Sequence, residues 1–558
     1  MKFIRYTVFL LASLPLHGAD WLIGDLKVLP PGIVSNVATT IVATVAVPPN
    51  PSLIPGSVKL LRLDRYGHPV TVLGLLYDDG THGDKVAGDG VYSGRFTLTE
   101  SRGPILVAGG AAFSSGKSGA MSPVLPISVI PPGLVYPLKR SPDQRSLLTQ
   151  SGAHFLLTGD APHSMFVNLS VQDAATYISN RASHGVNALW VQVLCNGYTA
   201  GRSDGSTYDG ILPFTDPSDI STPNESYFAR IDSMIRLAGK YHMTVFLDAF
   251  ETGGWMGFLE AQGNTKAFNW GAYLGNRYKA YPNIVWITGN DFQTWNTSSI
   301  DNELIKNIMA GIASVDSSHL QTLQLNYDAS GSLDNPLTVP YVALAGAYTY
   351  LPTYAEVLIQ YNKNPFQPLY LQEAHYDGET VGGCCGETGT PNILRRQAYW
   401  SLLSGAVAGQ MYGSSIWTFQ PGWRSKMDTP GIVQLGVWKA FATSHAWYDL
   451  VPDQFHTTVT AGFGTYSFYG ALGTNDYVTA ARTPDGKTVL AYTPVSHTLT
   501  VDMTQMRGPV VARWFDPTNG AYSPAGNSAF PNTGTKDFPT PGSNASGDSD
   551  WVLVLESQ

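Results

Sequence analysis

The stretch NIVWITGND, residues 283–291, has the form of a buried strand that ends in polar residues. Its apolar run, residues 284–287, is too short for a typical helix and leads into Gly289, Asn290 and Asp291. Two interpretations fit such an ending. It is either a capped turn at the protein surface or an acidic side chain held at the mouth of a barrel. The rest of the chain favours the barrel.

The central region, residues 133–452, alternates short apolar strands with helical patterns. For example, Ser170 followed by Asp173 predicts a helix start, and Gly185 predicts its end. Eight strands over about 300 residues predict a (β/α)8 barrel, and no GxGxxG follows the first strand to suggest a dinucleotide fold. The predicted strands are residues 154–160, 188–194, 244–250, 284–291, 322–327, 341–348, 368–375 and 409–415.

The regions on both sides of the barrel have β patterns. Residues 20–132 contain alternating stretches between Gly, Pro and Asp turns, which predicts an N-terminal β-sandwich of the immunoglobulin type. Pro131-Pro132-Gly133 has the composition of a linker. Residues 453–558 predict a second, small β-sandwich that includes a hairpin around Pro484-Asp485-Gly486. The predicted organisation is therefore a barrel between two β-domains.

One loop of the N-terminal domain, YDDGTHGDKVAGDGVYSG at residues 77–94, repeats aspartate every five positions. Asp79, Asp84 and Asp89 could supply oxygen ligands to a structural calcium ion, because calcium binds clustered oxygens on flexible turns. The same residues would also suit two Asp-Gly turns that join strands. The sequence leaves both interpretations open.

The N-terminus predicts export. Lys2 and Arg5 precede an apolar run, residues 6–14, and small residues suitable for cleavage follow at 16–19. This pattern predicts a secretory signal peptide over residues 1–19 and a secreted or periplasmic protein, with a buried first strand as the alternative. No later stretch has the length and hydropathy of a membrane span.

The composition is that of a globular protein, with 43% hydrophobic and 13% charged residues. A net charge of -9 without a basic patch argues against nucleic-acid binding. Export would permit disulfides, so Cys384 could bridge to its neighbour Cys385, or one of them to Cys195; free thiols are the other interpretation. The three cysteines make a poor zinc site, since no CxxC or HExxH occurs.

Polar side chains follow the predicted barrel strands at their carboxyl ends, where barrel enzymes place their active sites. Carboxylates, amides and aromatic rings dominate, with almost no Lys or Arg, which favours a neutral polyhydroxyl ligand over a phosphate. The chain's 13 Trp and 29 Tyr residues would also suit the stacking of sugar rings. The predicted substrate-binding residues are Asp160, Gln192, Asn196, Asp248, Asn290, Asn326, Tyr348, His375 and Trp417.

Two of the carboxylates suit glycosidic cleavage. Asp291 on strand four and Glu373 on strand seven would face each other across the barrel mouth, one as proton donor and one as nucleophile or base. An apolar wall that includes Trp286 and Trp417 would raise the pKa of the acid. The alternatives are that Asp291 caps the next helix and that Glu373 pairs with an arginine, Arg395 or Arg396.

Other catalytic motifs are missing from the sequence. There is no GxSxG elbow, and GGAAFSSGKSG at 109–119 has the wrong spacing and context for a phosphate loop. The strand ends show no cluster of metal ligands, so hydrolysis would require no metal and no cofactor.

Several stretches together resemble the apiosidase-like glycoside hydrolases. The resemblance implies a barrel followed by a small β-domain of the type called collagen-binding, and a retaining mechanism. It further implies that Asp291 is the acid/base, Glu373 the nucleophile and Asp160 an acidic residue of the site, with Asn290 where the family commonly has glycine. The stretches are residues 155–166, 181–193, 223–238, 271–291, 368–378, 395–419 and 447–453.

The prediction is therefore a secreted retaining glycoside hydrolase that acts on an oligosaccharide or polysaccharide of plant or microbial origin. A non-catalytic carbohydrate-binding or adhesion protein on a barrel scaffold is the alternative from another class. A decayed barrel often loses one carboxylate, whereas this sequence retains both. An enzyme of different chemistry on the same barrel is the third possibility.

Overall fold

The computed structural model describes residues 23–557 except 31, 36–37, 65, 102–103, 115–119, 131–134, 328, 382–385 and 527. The predicted signal peptide, the Pro131-Pro132-Gly133 linker, and Cys384 and Cys385 lie outside these residues. The described chain divides into two compact units. The first contains Thr40–Phe96 and Pro104–Ile127 with the described residues up to Val28, and the second contains the remainder.

The N-terminal region is built from short strands, as its alternating pattern predicted. In the first unit β1, β3 and β6 form one sheet, and a second has the order β9-β7-β4-β5 with β8 beside β7. In the second unit β2 pairs with the last residues of β9. The immunoglobulin-type arrangement stays a prediction. The strands are β1 (Leu26–Leu29), β2 (Gly32–Val34), β3 (Thr39–Ala46), β4 (Lys59–Leu63), β5 (Pro69–Leu75), β6 (Val91–Leu98), β7 (Ile105–Ala111), β8 (Ala120–Met121) and β9 (Leu125–Ile130).

The aspartate-rich loop joins β5 to β6 and corrects one prediction. Asp78, Asp84 and Asp89 each bring a carboxylate oxygen within 4.8 Å of the other two. Asp79, predicted as a ligand, is instead bound locally: its Oδ1 accepts hydrogen bonds from the backbone N–H and the hydroxyl of Thr81, and its Oδ2 lies 3.0 Å from Nδ1 of His82. Asp78 therefore takes the place predicted for Asp79.

The central region forms a nearly closed nine-stranded sheet with the order β17-β16-β15-β14-β13-β21-β20-β19-β18. All neighbours are parallel except β18 and β19, which are antiparallel. A small antiparallel sheet of β10, β11 and β12 precedes it. The strands are β10 (Lys139–Arg140), β11 (Leu147–Leu148), β12 (His154–Phe155), β13 (Leu157–Asp160), β14 (Ala188–Gln192), β15 (Thr244–Glu251), β16 (Ile284–Phe292), β17 (Gln321–Leu325), β18 (Ser330–Gly331), β19 (Ala345–Tyr348), β20 (Leu369–Glu373) and β21 (Gly409–Tyr412).

Helices follow most of these strands. Ser170 caps α2 by accepting a hydrogen bond from the N–H of Asp173, and Gly185 lies just beyond the helix with a φ of 85°, both as predicted. The helices are α1 (Met165–Asn168), α2 (Val171–Ser183), α3 (Glu225–Lys240), α4 (Thr252–Tyr278), α5 (Ser299–Val315), α6 (Thr353–Tyr361), α7 (Pro391–Leu403) and α8 (Pro430–Thr443).

The connection between β17 and β19 departs from the predicted (β/α)8 pattern. Its described residues form β18 and a single 3-10 turn, Val339–Tyr341, and no α-helix. Ser332 joins the two strands instead, because its hydroxyl donates to the carbonyl of Leu323 and accepts from the N–H of Gly346. A side chain thus bridges the place where the barrel sheet would otherwise open.

Alternate residues of the barrel strands pack in two layers. Trp190, Phe246 and Tyr370 belong to a buried cluster between the strands, whereas Trp286 belongs to the larger cluster shared with the helices. The indole N–H of Trp286 donates to Asp316 at the end of α5, 2.9 Å away. The prediction that Trp286 forms a wall of the site is therefore wrong, because its ring faces away from the barrel interior.

The C-terminal region forms two sheets, with the orders β22-β24-β25-β30-β27-β28 and β23-β26-β29. Its strands are β22 (Val451–Pro452), β23 (Val459–Ala461), β24 (Thr479–Arg482), β25 (Thr488–Thr493), β26 (Thr498–Asp502), β27 (Val510–Phe515), β28 (Tyr522–Pro524), β29 (Thr535–Pro539) and β30 (Trp551–Ser557). The predicted hairpin is confirmed, since Gly486 lies in the turn between β24 and β25.

Two buried arginines of α7 attach the barrel to this β-domain. Arg395 forms ion pairs with Asp550 and Asp548, at 2.8 and 2.7 Å. Arg396 donates to backbone carbonyls of the C-terminal region, including that of Leu472 at 2.8 Å. These contacts account for both arginines without the carboxylate of Glu373.

None of the described helices combines the length and hydropathy that crossing a bilayer requires.

Candidate active site

The site is built around Asp291, which lies near the end of β16. The register of β16 shifts against both neighbouring strands at this end, and Asn290 and Asp291 have positive φ angles of 59° and 55°. Gly289 permits the close approach, because a Cβ there would lie 2.1 Å from the carbonyl oxygen of Gln324. Such bulges and strained residues redirect side chains at functional sites. Here the bulge turns the Asp291 carboxylate toward two tyrosines.

These two tyrosine hydroxyls donate to the two oxygens of Asp291. Tyr348, the last residue of β19, donates to Oδ1 at 2.7 Å. Tyr198, from the loop after β14, donates to Oδ2 at 2.6 Å. Helix α5 is capped by Ser298 rather than by Asp291. The capped-turn interpretation of the opening stretch is therefore wrong for this carboxylate.

Glu373, the last residue of β20, shares its hydrogen-bond partners with Asp291. Gln324 donates from Nε2 to Glu373 at 2.7 Å, and its Oε1 accepts the backbone N–H of Asp291 at 2.9 Å. Tyr350 donates to the other oxygen of Glu373 at 2.9 Å, and its hydroxyl lies 3.3 Å from that of Tyr348. The two carboxylates therefore belong to one hydrogen-bonded network.

Burial and mutual repulsion favour protonation of this pair. The pKa of Glu373 is raised to about 8, first by burial and then by the negative charge of Asp291. Burial also raises the pKa of Asp291, and the hydrogen bonds from Tyr198 and Tyr348 oppose that shift. Because two interacting acids titrate as a unit, the pair retains one proton near neutral pH. One protonated and one ionised carboxyl group is the state that acid-assisted displacement requires.

The loop that carries Tyr198 is fixed by small residues and a cap. Asn196 accepts the N–H of Tyr198, so the predicted binding residue Asn196 holds the turn that positions this tyrosine. The start of α4 leaves room for the turn, because a Cβ on Gly253 would lie 2.2 Å from the Tyr198 ring and one on Gly254 would lie 2.1 Å from Asn196. Tyr198 itself is 41% exposed, so it lies on the solvent side of Asp291.

A second polar network lies beside the pair. His163 contacts the hydroxyl of Tyr376 at 2.7 Å through Nε2 and the amide of Gln192 at 3.1 Å through Nδ1. Burial lowers the pKa of His163 to about 3, so the imidazole is neutral. The charge of Glu373 contributes to the raised pKa of Tyr376, which places this tyrosine near the pair. The half-buried ring of Trp417 packs edge-on against His163.

Three further predicted binding residues, Asp248, His375 and Asn290, are all buried. Asp248 is buried, accepts the indole N–H of Trp190 at 3.2 Å and has a pKa that burial raises to about 7. His375 is buried and packs edge-on against Tyr350, with ring centroids 5.6 Å apart. Asn290 is also buried, and its Oδ1 has no hydrogen-bond partner among the described residues. An amide oxygen left in this way at the bulge is available to a ligand hydroxyl.

Two predicted binding residues make structural contacts. Asp160 is 1% exposed, and its Oδ2 accepts from both Tyr177 and Arg181 at 2.5 Å. This buried ion pair explains the acidic residue and leaves it poorly placed to contact a substrate. Asn326 accepts the indole N–H of Trp295 at 3.2 Å, which orients the loop after β17. Substrate contact by Asp160 is therefore corrected to a role in stabilising the barrel, whereas substrate contact by Asn326 stays a prediction.

Comparison with known proteins shows the family of this chain. A family model described as "Apiosidase-like, catalytic domain" matches residues 141–449, more than half of the chain. The chain belongs to the apiosidase-like family. A second model, described as "Putative collagen-binding domain of a collagenase", matches residues 470–556 of this apiosidase-like protein. A search of curated proteins found no match.

Solved structures share the fold of the apiosidase-like protein. One described as a glycoside hydrolase is 20% identical, with a TM-score of 0.65 over 75% of this chain and 97% of its own. A glycoside hydrolase family 5 protein from Bacteroides vulgatus has the same identity and TM-score, and the match covers 93% of that chain. At this identity the likeness concerns the fold.

The predicted site residues did not include Tyr198, Gln324, Tyr350 or Glu251. Glu251, the buried last residue of β15, accepts the N–H of Gly254 and has a pKa raised by burial and by nearby Asp248 and Asp291. Gln324 carried a usable signal, since it is a polar residue between Leu323 and Leu325, one position before the end of β17. Tyr198 and Tyr350 carried none, because loop tyrosines are common in this sequence.

Proposed function

We propose that this protein is an exported retaining glycoside hydrolase that cleaves glycosidic bonds in a plant or microbial polysaccharide. The observation that carries the proposal is the bridge through Gln324, which donates to the carboxylate of Glu373 and accepts the backbone N–H of Asp291. Membership of the apiosidase-like family supports hydrolase chemistry. The basic, apolar N-terminal stretch supports export.

In the first step, the ionised carboxylate of Glu373 attacks the anomeric carbon of a bound sugar. The bond between that carbon and the glycosidic oxygen breaks, and Asp291 gives its proton to the departing oxygen. The result is a glycosyl ester on Glu373, an ionised Asp291 and a free alcohol. In the second step, Asp291 takes a proton from water as that water attacks the anomeric carbon and displaces Glu373. The sugar leaves with its original anomeric configuration, and neither step uses a metal or a cofactor.

The hydrogen bonds of the free site suggest how a bound substrate decides which of the two carboxyl groups holds the proton. The Tyr198 hydroxyl occupies the exposed side of Asp291, where a leaving group would have to approach. Replacing this donor by a glycosidic oxygen, which only accepts, removes a bond that stabilises the ionised carboxylate. The pKa of Asp291 therefore rises on binding, and the shared proton moves toward the residue that must donate it. The Oδ1 of Asn290 is left to accept a sugar hydroxyl.

The test begins with a screen of the full chain against pectic polysaccharides, including apiose-containing ones, and against microbial glycans. On the active substrate, Asp291→Asn and Glu373→Gln should each lose at least about 100-fold in kcat while circular dichroism and melting temperature show a folded protein. NMR of the first product anomer should show retained configuration. Inverted product would overturn the retaining mechanism, and full turnover in either variant would overturn the role of that residue.

Azide rescue separates the two roles. With a substrate that has a good leaving group, Asp291→Ala plus azide should give a glycosyl azide of retained configuration, because azide replaces water in the second step. Glu373→Ala plus azide should give the inverted azide, because azide then attacks the substrate directly. The opposite pattern would exchange the assignments. Glycan binding without hydrolysis of any substrate would favour the non-catalytic carbohydrate-binding alternative.

A further inference from the structure

The loop between β5 and β6 gathers three carboxylates. One oxygen each from Asp78, Asp84 and Asp89 lies within 4.8 Å of the other two. Asp78 is held in place by backbone N–H groups, with Gly88 and Asp89 donating to Oδ1 and Gly90 to Oδ2, at 2.6, 3.1 and 3.0 Å. The loop is thus folded so that its first and last acidic residues point to the same place.

Asp84 is the most deeply buried of the three and has one oxygen without a well-aligned donor. The residue is 2% exposed, and its Oδ2 accepts the N–H of Gly80 at 2.7 Å. Its Oδ1 is buried and accepts no hydrogen bond of good geometry among the described residues, although the backbone N–H of Lys85 also lowers the pKa of this carboxyl group. A buried carboxylate oxygen left in this way costs free energy that a bound cation would offset. Burial, with the charges of Asp89 and Asp78, raises the pKa of Asp84 to about 6.

We propose that Asp78, Asp84 and Asp89 bind a calcium ion that closes this loop. The three groups offer only oxygen atoms, which hard cations prefer, and none is an imidazole or thiolate. Two oxygens on opposite sides of a calcium ion lie up to about 4.8 Å apart, since calcium–oxygen distances are about 2.4 Å. The observed spacing therefore accommodates calcium without rearrangement, whereas magnesium would demand a tighter octahedron.

The ion would act on the stability of the loop. Asp78 and Asp89 lie near the two ends of the connection, where Tyr77 and Ser93 pair through reciprocal backbone hydrogen bonds of 2.8 Å. A cation shared by these acids and by Asp84 would tie the ends of the loop to its middle. The site is separate from the proposed hydrolysis, so calcium removal should lower stability without depending on turnover.

The experiment uses the full chain, stripped of metal with EDTA and dialysed, and titrated with calcium chloride by calorimetry. The wild-type protein should bind one calcium ion, and calcium should raise its melting temperature more than the same concentration of magnesium does. Asp84→Asn should weaken calcium affinity by more than about tenfold, because affinity follows the number of charged ligands. Absence of calcium binding by the wild-type protein would overturn the proposal.

Asp79→Asn is the matched control, since this neighbouring carboxylate is bound by Thr81 and His82. It should bind calcium like the wild-type protein. An equal loss of affinity in Asp79→Asn and Asp84→Asn would contradict the ligand assignment, and so would unchanged affinity in Asp84→Asn. In EDTA, Asp84→Asn should melt at or above the wild-type temperature, because the substitution relieves repulsion between carboxylates. A lower melting temperature in EDTA would show that Asp84 stabilises the loop without an ion, and would count against the site.

Discussion

Tyr198→Phe tests the electrostatic account of the carboxylate pair most directly. In the free protein the Tyr198 hydroxyl donates to Oδ2 of Asp291 at 2.6 Å and so stabilises the ionised form. Deleting the hydroxyl should raise the pKa of Asp291, because the proton is then lost less readily. The ring is kept, so packing against Gly253 should change little.

The size of the shift follows from the hydrogen bond and its exposure. A hydrogen bond to a charged group contributes about 1.5–3 kcal/mol, and water can replace part of it because Tyr198 is 41% exposed. The lower end of that range corresponds to about one pKa unit. The Oδ1 bond from Tyr348 remains and prevents a larger change.

The assay is the pH dependence of kcat/KM, whose alkaline limb reports loss of the acid's proton in the free enzyme. Because the limb belongs to the coupled pair, we expect it to move upward by at most about one pH unit in Tyr198→Phe. Tyr208→Phe is the control, because this exposed tyrosine of the same connection packs under Arg230. An unmoved limb, or a shift to lower pH, would refute the idea that the Tyr198 hydroxyl lowers the pKa of Asp291.

Three further predictions test other parts of the structure, and Asp548→Asn serves as the control in one of them. Glu373→Gln should raise the melting temperature at pH 8 but not near pH 5, as measured by calorimetry. The folded pKa of Glu373 is about 8, so its protonated form stabilises the native state at low pH. This contribution to stability is lost as the pH rises toward 8. Arg395→Ala should reduce the free energy of unfolding by about 3–5 kcal/mol in urea titrations, because it strands the buried Asp550, whereas Asp548→Asn at the exposed side should cost less than about 1 kcal/mol. Asp160→Asn should destabilise the fold by breaking its pair with Arg181 while the folded fraction retains its KM; a large rise in KM would restore Asp160 to the substrate site.

Local patterns predicted the barrel because most of its longer strands, such as β14 and β16, contain a short apolar run with a recognisable end. The same reasoning placed Asp291 and Glu373 together, since parallel strands of one barrel end on the same face. The connection between β17 and β19 also has a local explanation: Asp, Ser, Gly, Asn and Pro, which favour turns over helices, crowd residues 328–340. The absence of a helix from the described residues of this connection could therefore have been predicted from the sequence, but it was not.

The sequence alone did not show which residues contact each other in the folded chain. The choice of Asp78 over Asp79 depends on which aspartate faces the middle of a folded loop, and adjacent aspartates look equivalent in a sequence. The direction of Trp286 depends on strand register, which a run of four buried apolar residues does not reveal. Asp160 had the position of a catalytic residue, and only its contact with Arg181, 21 residues away, identifies it as part of an ion pair.

The attachment of α7 to the C-terminal β-domain bears on how this protein can be divided. Glu387, on the segment after β20, accepts the backbone N–H groups of Leu472 and Gly473 at 2.7 and 2.6 Å, beside the guanidinium anchors described above. A barrel expressed alone would expose two arginines and one glutamate whose partners had been cut away. In recombination, the barrel and the C-terminal β-domain should therefore be exchanged together. Shuffled libraries should keep the contacts between α7, Glu387 and the C-terminal domain intact.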